Sequence, residues 1–464
     1  GTARHQFEGA GGRAEPGGRR PRFRGPIAGW QLPRPMIMRA PAADPNRRLP
    51  GPNPDVANWA YVLARFPLLS ETFILREMQE LERLGHSLTV FPLQRVTDGP
   101  RHGGVNELRA PIRYQACFSP AAIVYWLRRK PGAALRALGA GLWHNRGDAR
   151  LWLGALAYWP KALGIAREMR QQKIEHAHAH YVTHPAFVAY VVNRLTGIPY
   201  SVTIHAHDLY CHRAMLRQKV QRASQVVTIS EYNRRWLEHA LHASSQRSSI
   251  TVVRCGVAAA TFESLAAGRT ASSGLRVLSV GSLQPYKGHR HLIAACAELG
   301  RRGVAFDCRI VGGGRLEDTL QRQIERARLG NWVRLEGPQT EAGIRTWLRW
   351  ANVFALASVV DKRTGQMEGI PVALMEAMAA GLAVVASNVS GIAELVQEGE
   401  GLLVAAEAED ELAAALLRLR DAGLRRRLGT AAQRHIRAEY DLQVNVAQLA
   451  RRLGWSVAPG EATA

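Results

Sequence analysis

From residue 58 onward the chain alternates short β-branched runs with longer stretches of helical periodicity, and it does so twice. Few folds accept that pattern. Parallel strands need crossovers long enough to hold a helix, and the helices must then cover both faces of the sheet. In the first series the runs are WAYVLA (59–64), SLTVF (87–91), IEHAHA (174–179), SVTI (201–204), QVVTI (225–229) and ITVVR (250–254). In the second they are RVLSVG (276–281), AFDCRIVGGG (305–314), WVRLEG (332–337), NVFALAS (352–358), AVVAS (383–387) and GLLV (401–404). Between the series, residues 258–274 are mostly small and lack a strong pattern, so they read as a linker. The expected architecture is α/β: two facing Rossmann-like, doubly wound domains, at 58–257 and 275–440, with a C-terminal helix and tail at 441–464. Ser70 is expected to cap a helix that runs to Leu84 and stops at Gly85.

Charge is distributed unevenly along this frame. The 464 residues carry a formal net charge of +23. Residues 1–57 read as a disordered basic arm, with ten arginines against three acids in the first fifty positions. The chain opens on Gly1, which makes Met36 and Met38 candidate starts. Residues 101–174 add thirteen Lys/Arg against three acids, whereas 275–464 sum to only +3. The 101–174 stretch also holds Trp126, Trp143, Trp152 and Trp159 among apolar residues at helical spacing. Amphipathic helices rich in Arg and Trp suit an anionic membrane surface, and the same pattern suits an ordinary core beneath a solvated arginine face. No zinc finger, basic zipper or aromatic RNA-binding motif accompanies the charge, so nucleic acid is not an expected partner. The five cysteines form no CxxC pair, which argues against a disulfide framework or a structural zinc. No run reaches about 18 uncharged apolar residues. The expected location is cytoplasmic, with a peripheral position on the inner face of the cell membrane if the basic stretch docks there.

Three segments can carry chemistry. Glu368-Gly369-Ile370-Pro371 precedes a helix that holds Glu376 and stops at Gly381. Free amides at a helix start attract phosphate, Gly369 permits close approach, and the two carboxylates can accept hydrogen bonds from sugar hydroxyls. Gly281-Ser282-Leu-Gln-Pro-Tyr-Lys287-Gly288 leaves a strand and enters a helix, offering amides and one ammonium for a diphosphate. Thr203-Ile-His205-Ala-His207-Asp208 lies at a strand end of the other domain, where doubly wound sheets bind ligands.

These segments together, with VTISEYN, resemble the retaining family-4 glycosyltransferases, which have the GT-B fold. The opening RFPLLSETFILREMQELERLGH is similar to members acting in colanic-acid-type exopolysaccharide assembly. The resemblance spans residues 58 to about 440. It implies that Glu376 binds the nucleotide ribose, that Glu368 with the amides of Gly369, Ile370 and Pro371's helix holds the donor sugar, and that Lys287 neutralises the diphosphate. His205 would face the reacting sugar, making His205, Lys287 and Glu368 the catalytic set. Ser70, Glu71 and Asp208 join His205 on the acceptor side. Two departures stand out. Ser282 occupies a position where the family usually has Arg, with Arg290, Lys362 and Arg363 as candidate substitutes. The usual glycine-rich loop after the first strand is replaced by Pro67-Leu-Leu-Ser70-Glu71-Thr72.

His176, His178 and His180 alternate on one face of a strand, with His184 nearby, which invites a metal reading. No Asp/Glu/Cys cluster in the sequence completes such a site and the resemblance implies metal-independent transfer, so packed histidines and no cofactor are expected. GGGR (312–315) lacks phosphate-loop spacing and reads as a plain strand-to-helix turn. The leading expectation is transfer of a sugar from a nucleotide-sugar to a saccharide or lipid-linked acceptor. A nucleotide-sugar epimerase or hydrolase, or an inactive scaffold on the same fold, is the alternative.

Overall fold

A computed structural model describes residues 58–68, 71–96, 103–241, 250–267 and 274–455. The basic arm at 1–57 and Ser70 lie outside the described residues.

Two six-stranded parallel sheets organise the molecule. The first contains β1 (Asn58–Phe66), β2 (Ser87–Arg95), β3 (His176–His180), β4 (Tyr200–Ile204), β5 (Gln225–Thr228) and β6 (Ile250–Val252), ordered β2-β1-β3-β4-β5-β6. Its helices are α1 (Thr72–Arg83), α2 (Pro120–Arg129), α3 (Pro131–His144), α4 (Ala149–Gln171), α5 (His184–Thr196), α6 (Ala206–Cys211), α7 (Leu216–Arg222) and α8 (Glu231–Leu241). Every residue of β3 and of β4 is buried, as expected for strands covered on both faces.

After α9 (Ala259–Ala267) the second sheet contains β7 (Leu275–Val280), β8 (Phe306–Val311), β9 (Val333–Leu335), β10 (Val353–Leu356), β11 (Ala383–Ser387) and β12 (Leu402–Val404). The order β12-β11-β10-β7-β8-β9 is the doubly wound arrangement, with its switch point between β7 and β10. Helices α10 (His289–Arg301), α11 (Glu317–Arg326), α12 (Glu341–Trp350), α13 (Val372–Ala379), α14 (Ile392–Leu395), α15 (Glu409–Arg418) and α16 (Ala422–Glu439) cover it, and α17 (Leu442–Arg452) follows.

Two sequence boundaries need correction. The stretch read as a linker is helical over α9, because its alanines are strong helix formers and Phe262 and Leu265, three residues apart, share one buried face. The residues read as a C-terminal helix and tail do form a helix, α17, but it and the residues to Trp455 belong to the core of the first domain. Val446, Leu449, Ala450, Leu453 and Trp455 return to the first domain and join Trp59, Tyr61, Ile74 and Met78 in one core cluster. The Trp59 and Trp455 rings meet edge to face at 4.2 Å. The chain therefore crosses between domains twice, and the crossings are stitched together: Val257 N–H donates to Tyr440 O (2.9 Å) and Leu442 N–H to Val257 O (3.0 Å). Gly256 makes this possible, since a Cβ there would sit 2.4 Å from Leu442 Cα.

The basic stretch is half core and half surface. Trp126 is fully buried and its indole N–H donates to Leu163 O at 3.0 Å, while the Trp159 indole donates to Ala134 O at 3.1 Å. Yet seven of the ten exposed large hydrophobic residues among those described fall between Phe118 and Leu156, led by Trp143 at 64%, Phe118 at 63% and Leu153 at 60% exposure. Arg128, Arg129, Lys130, Arg136, Arg146 and Arg150 are exposed around them. No helix among the described residues is long and apolar enough to cross a membrane.

Candidate active site

A cleft of about 470 Å³ opens where the carboxyl ends of the two sheets face each other. The first domain contributes Thr72, Phe73 and Arg76 from α1, Tyr181 after β3, and His205 and Ala206 after β4. The second contributes Gly281, Ser282, Tyr286 and Lys287 after β7, Gly312 and Gly313 after β8, Gln339 and Glu341 before and in α12, and the run from Gln366 to Ala373 with Glu376.

Punctuation in the sequence explains the second wall. Pro371 occupies the N-cap of α13 with extended backbone, and the helix begins at Val372. Leu374 N–H already donates to Pro371 O at 3.1 Å, so the amides at the start of α13 that are left to face the cleft are those of Val372 and Ala373, a polarity that favours anions. Gly369 is required by contact: a Cβ would lie 2.9 Å from Ala206 Cβ and 3.0 Å from Ile229 Cδ1, both in the opposite domain.

Lys287 Nζ lies 2.6 Å from Glu368 Oε1, and both side chains are largely buried. Burial works against the ammonium, but the attraction of Glu368 and Tyr286 and the Glu368 hydrogen bond outweigh it, so the Lys287 pKa is raised. Glu376 is held otherwise. Burial pushes its pKa up, opposed by Arg76, whose Nη1 donates to Glu376 Oε1 at 2.9 Å across the cleft. Arg76 Nη2 also lies 3.4 Å from Glu341 Oε1, and Glu341 is shared with Arg345.

The first wall is built on a buried hydrogen-bonded chain. Tyr61 donates to Glu77 Oε1 (2.7 Å), His180 Nε2 meets the same oxygen at 3.0 Å, and His180 Nδ1 meets His205 Nε2 at 3.1 Å. With Glu77 as a carboxylate acceptor, His180 carries its proton on Nε2 and accepts at Nδ1 from the Nε2–H of His205. Burial first, and His180 second, hold the His205 pKa well below its usual value, so the imidazole that reaches the cleft is neutral. Phe73 and Tyr181 flank its ring at 5.0 and 4.8 Å. Tyr181 has a left-handed backbone (φ 75°), a strained conformation for an aromatic residue and one found at ligand sites.

Glu77, His178 and His180 place one donor atom each within 4.8 Å of one another, a spacing that could hold a metal. All three are engaged in hydrogen bonds: His178 with the Ser201 and Thr203 hydroxyls at 2.7 and 3.0 Å, His180 and Glu77 as above. His176 also bonds Ser201 (2.8 Å), and burial lowers its pKa to about 3. Sequence reasoning missed Glu77, the carboxylate that completes this cluster, because it comes from α1, one hundred residues upstream.

The structure thus gathers Gly281, Ser282, Lys287, Glu368, Gly369, Ile370, Pro371, Glu376 and His205 around one cleft. Asp208 and Glu71 stand elsewhere. Asp208 is 1% exposed, accepts from His205 N–H (3.0 Å) and Val182 N–H (2.6 Å), and is pushed by burial to a pKa of about 7, so it pins two loops and does not reach the cavity. Glu71 caps nothing with its side chain but accepts from Tyr181 OH at 3.0 Å, one residue behind the wall. Of the amides expected to meet phosphate, Gly281 N–H is already given to Val311 O and Leu283 N–H to Gly313 O, so the GGGR turn acts as a brace for that loop. Arg290 bonds His291 and Lys362 pairs with Glu407 at an exposed position; neither lines the cleft, nor does Arg363. Ser230–Glu231 acquires a role the sequence did not reveal: Glu231 and Tyr232 amides donate to Glu394 of the second domain at 2.9 and 2.5 Å, joining the domains beside the site.

Residues 264–435 match the family described as Glycosyl transferases group 1. A putative colanic acid biosynthesis glycosyltransferase, WcaL of Salmonella typhimurium, is 29% identical over 381 residues, 77% of this chain and 89% of that protein. The amylovoran biosynthesis glycosyltransferase AmsK of Erwinia amylovora is 38% identical over 188 residues, 40% of this chain and 46% of AmsK. Among solved structures, a glycosyltransferase from Rickettsia africae superposes with a TM-score of 0.64 at 16% identity, covering 87% of this chain and all of that one. Anabaena HepE in complex with UDP gives 0.63 at 18% identity over 86% of this chain and 100% of HepE.

Proposed function

We propose that this chain is a group 1 glycosyltransferase that uses the interdomain cleft to move a sugar from a nucleoside diphosphate to a saccharide or lipid-linked acceptor in exopolysaccharide or cell-envelope glycan synthesis. The observation that carries the reading is the meeting of Lys287, Glu368, Glu376 and the start of α13 in one cavity at the sheet switch points. UDP bound to HepE, a protein of the same fold, supports a nucleotide donor, and the names of WcaL and AmsK support the biosynthetic context.

In this reading Glu376 accepts hydrogen bonds from the ribose hydroxyls and Glu368 from the donor sugar. Lys287 turns from Glu368 to the diphosphate. Charge builds on that diphosphate as the glycosidic bond breaks, so a fixed ammonium and helix amides lower the barrier where they are aimed at the leaving oxygens. The sugar at that moment is oxocarbenium-like, and a neutral His205 approaches it without adding positive charge. Transfer is retaining and metal-independent, with the departing phosphate taking the acceptor proton on the same face, so no nucleophilic carboxylate is needed. The enzyme works at the inner face of the cell membrane as a peripheral protein, a placement supported by the exposed Trp143, Leu153 and neighbouring arginines.

Thermal shift across nucleoside diphosphates and their sugars identifies the donor, followed by product analysis with oligosaccharide acceptors. Stabilisation by one nucleotide together with an acceptor-dependent product of unchanged anomeric configuration is expected. Free sugar or an epimer formed equally without acceptor would replace this reading with hydrolase or epimerase chemistry, and no stabilisation by any nucleotide would remove the donor site.

A further inference from the structure

Setting aside the neutral His205, two cations and three carboxylates line the cleft: Lys287 and Arg76 against Glu341, Glu368 and Glu376. A nucleoside-diphosphate sugar brings two more negative charges, one per phosphate, into a cavity that is already net negative. Lys287, released from Glu368 by the incoming sugar, answers one of them. Among the described residues the other cation facing the cavity is Arg76, and it comes from the opposite domain.

Arg76 is 8% exposed, lies with its guanidinium carbon 5.8 Å from the Phe262 ring centroid, and bonds Glu376 at 2.9 Å. Glu376 is the carboxylate that the proposed function assigns to the ribose, and this inference rests on that assignment. Arg76 holds Oε1 of Glu376, and ribose hydroxyls arriving at the same carboxylate draw its charge away from the guanidinium. A buried cation stripped of its nearest partner is costly, so Arg76 must pair again. Glu341, 3.4 Å from Arg76, is also paired with Arg345 and keeps that partner if Arg76 turns away. The anion newly present in the cavity is the diphosphate, and a guanidinium meets phosphate oxygens in a bidentate fork.

We propose that Arg76 exchanges partners on donor binding, leaving Glu376 for the donor diphosphate, and so ties the first domain to the nucleotide held by the second. In the empty enzyme the same residue occupies the ribose acceptor and excludes ligands that bring no phosphate. The cleft thereby selects nucleoside diphosphates over nucleosides through a residue on α1.

The test uses the full chain with a nucleoside and its diphosphate, the base taken from the panel above, and isothermal titration of wild type, Arg76→Gln and Arg76→Lys. Arg76→Gln is expected to bind the nucleoside as well as or better than wild type and the diphosphate about tenfold or more weakly, the size of one lost charge-assisted contact. Arg76→Lys, keeping the charge without the fork, should fall between and supplies the test if the glutamine variant does not fold. Small-angle scattering should show compaction on adding the diphosphate to wild type and less of it in Arg76→Gln. Equal tightening of nucleoside and diphosphate in Arg76→Gln would make Arg76 a lock and overturn the exchange, as would unchanged affinities in both variants. Failure of the donor site itself is distinguishable: wild type would then bind no diphosphate, and Glu376→Ala and Lys287→Ala would change nothing.

Discussion

The two walls of the cleft solve the same problem with opposite materials. The second domain presents charge: Lys287 against Glu368, Glu376 and Glu341, set on a loop and a helix start. The first presents neutral surface: Phe73, Tyr181 and a His205 that burial keeps unprotonated, backed by His178 and His180. Charged groups grip a ligand that is itself charged, whereas a neutral polarisable wall suits a reacting sugar whose charge changes during the reaction. Arg76 is the exception, a cation on the neutral side, and its partner belongs to the charged one.

Removing the ammonium breaks the contrast most severely. Lys287→Ala should lower kcat by about 10²–10³-fold, as loss of one preorganised charge at a leaving group does, with a smaller change in donor KM. Steady-state kinetics check it, and an unchanged kcat would detach Lys287 from the chemistry. Glu376→Ala should act on binding instead, raising the donor KM about tenfold with kcat nearly kept, since its hydrogen bonds to ribose are present before and during transfer. A kcat loss matching that of Lys287→Ala would erase the distinction between the two carboxylate and ammonium roles.

The neutral wall is tested by acid. His176 (about 3), His184 (about 4), His178 and His205 all have folded pKa values below the ordinary histidine range, chiefly through burial. The folded state then binds fewer protons than the unfolded chain, so the stability these groups contribute is complete above about pH 6.5 and is lost as pH falls below it. Asp208, raised to about 7 by burial, works the other way, favouring the folded state as pH drops from about 7 toward 4. His86 and His289 are lowered as well, while burial raises the carboxyls of Glu71, Glu82, Glu168 and Glu376 alongside Asp208; because the unfolded histidines take up their protons near pH 6.5, above the ordinary carboxylate range, Tm should fall between pH 7 and pH 5 in calorimetry. A flat or rising Tm would mean that the wall is not neutral. The smallest effect on catalysis is expected far from the cleft: Trp143→Ser with Leu153→Ser should abolish salt-sensitive sedimentation with anionic liposomes and leave turnover of a water-soluble acceptor unchanged. Equal sedimentation of variant and wild type would move the membrane contact elsewhere.

Legibility followed the range of the interaction. The run from Glu368 to Gly381 could be read because each signal is local: a proline at the helix start, a glycine at the stop, two carboxylates at fixed offsets. The double alternation foretold both sheets for the same reason. Arg76 could not be read, because nothing near it in α1 announces a partner three hundred residues away. Tyr181 was equally silent, a single residue turned into the cleft by an unusual backbone angle. Asp208 misled because a polar residue at a strand end can face the ligand or cap the next helix, and only packing decides. The linker misled because alanine suits both a loop-like composition and a helix, and burial of Phe262 chose the helix.

The return of α17 to the first domain has a consequence for the order in which the molecule can be assembled. Trp59, Tyr61 and Met78 are made early in synthesis, but the side chains that complete their core, Val446 through Trp455, arrive only after the whole second domain has been translated. Until then one face of β1 and α1 stays uncovered, and α1 is the helix that carries Arg76 and Glu77. The working cleft is therefore supported only once α17 has been made, and a protein cut after residue 441 would lose the support of its first wall while keeping every residue that lines it.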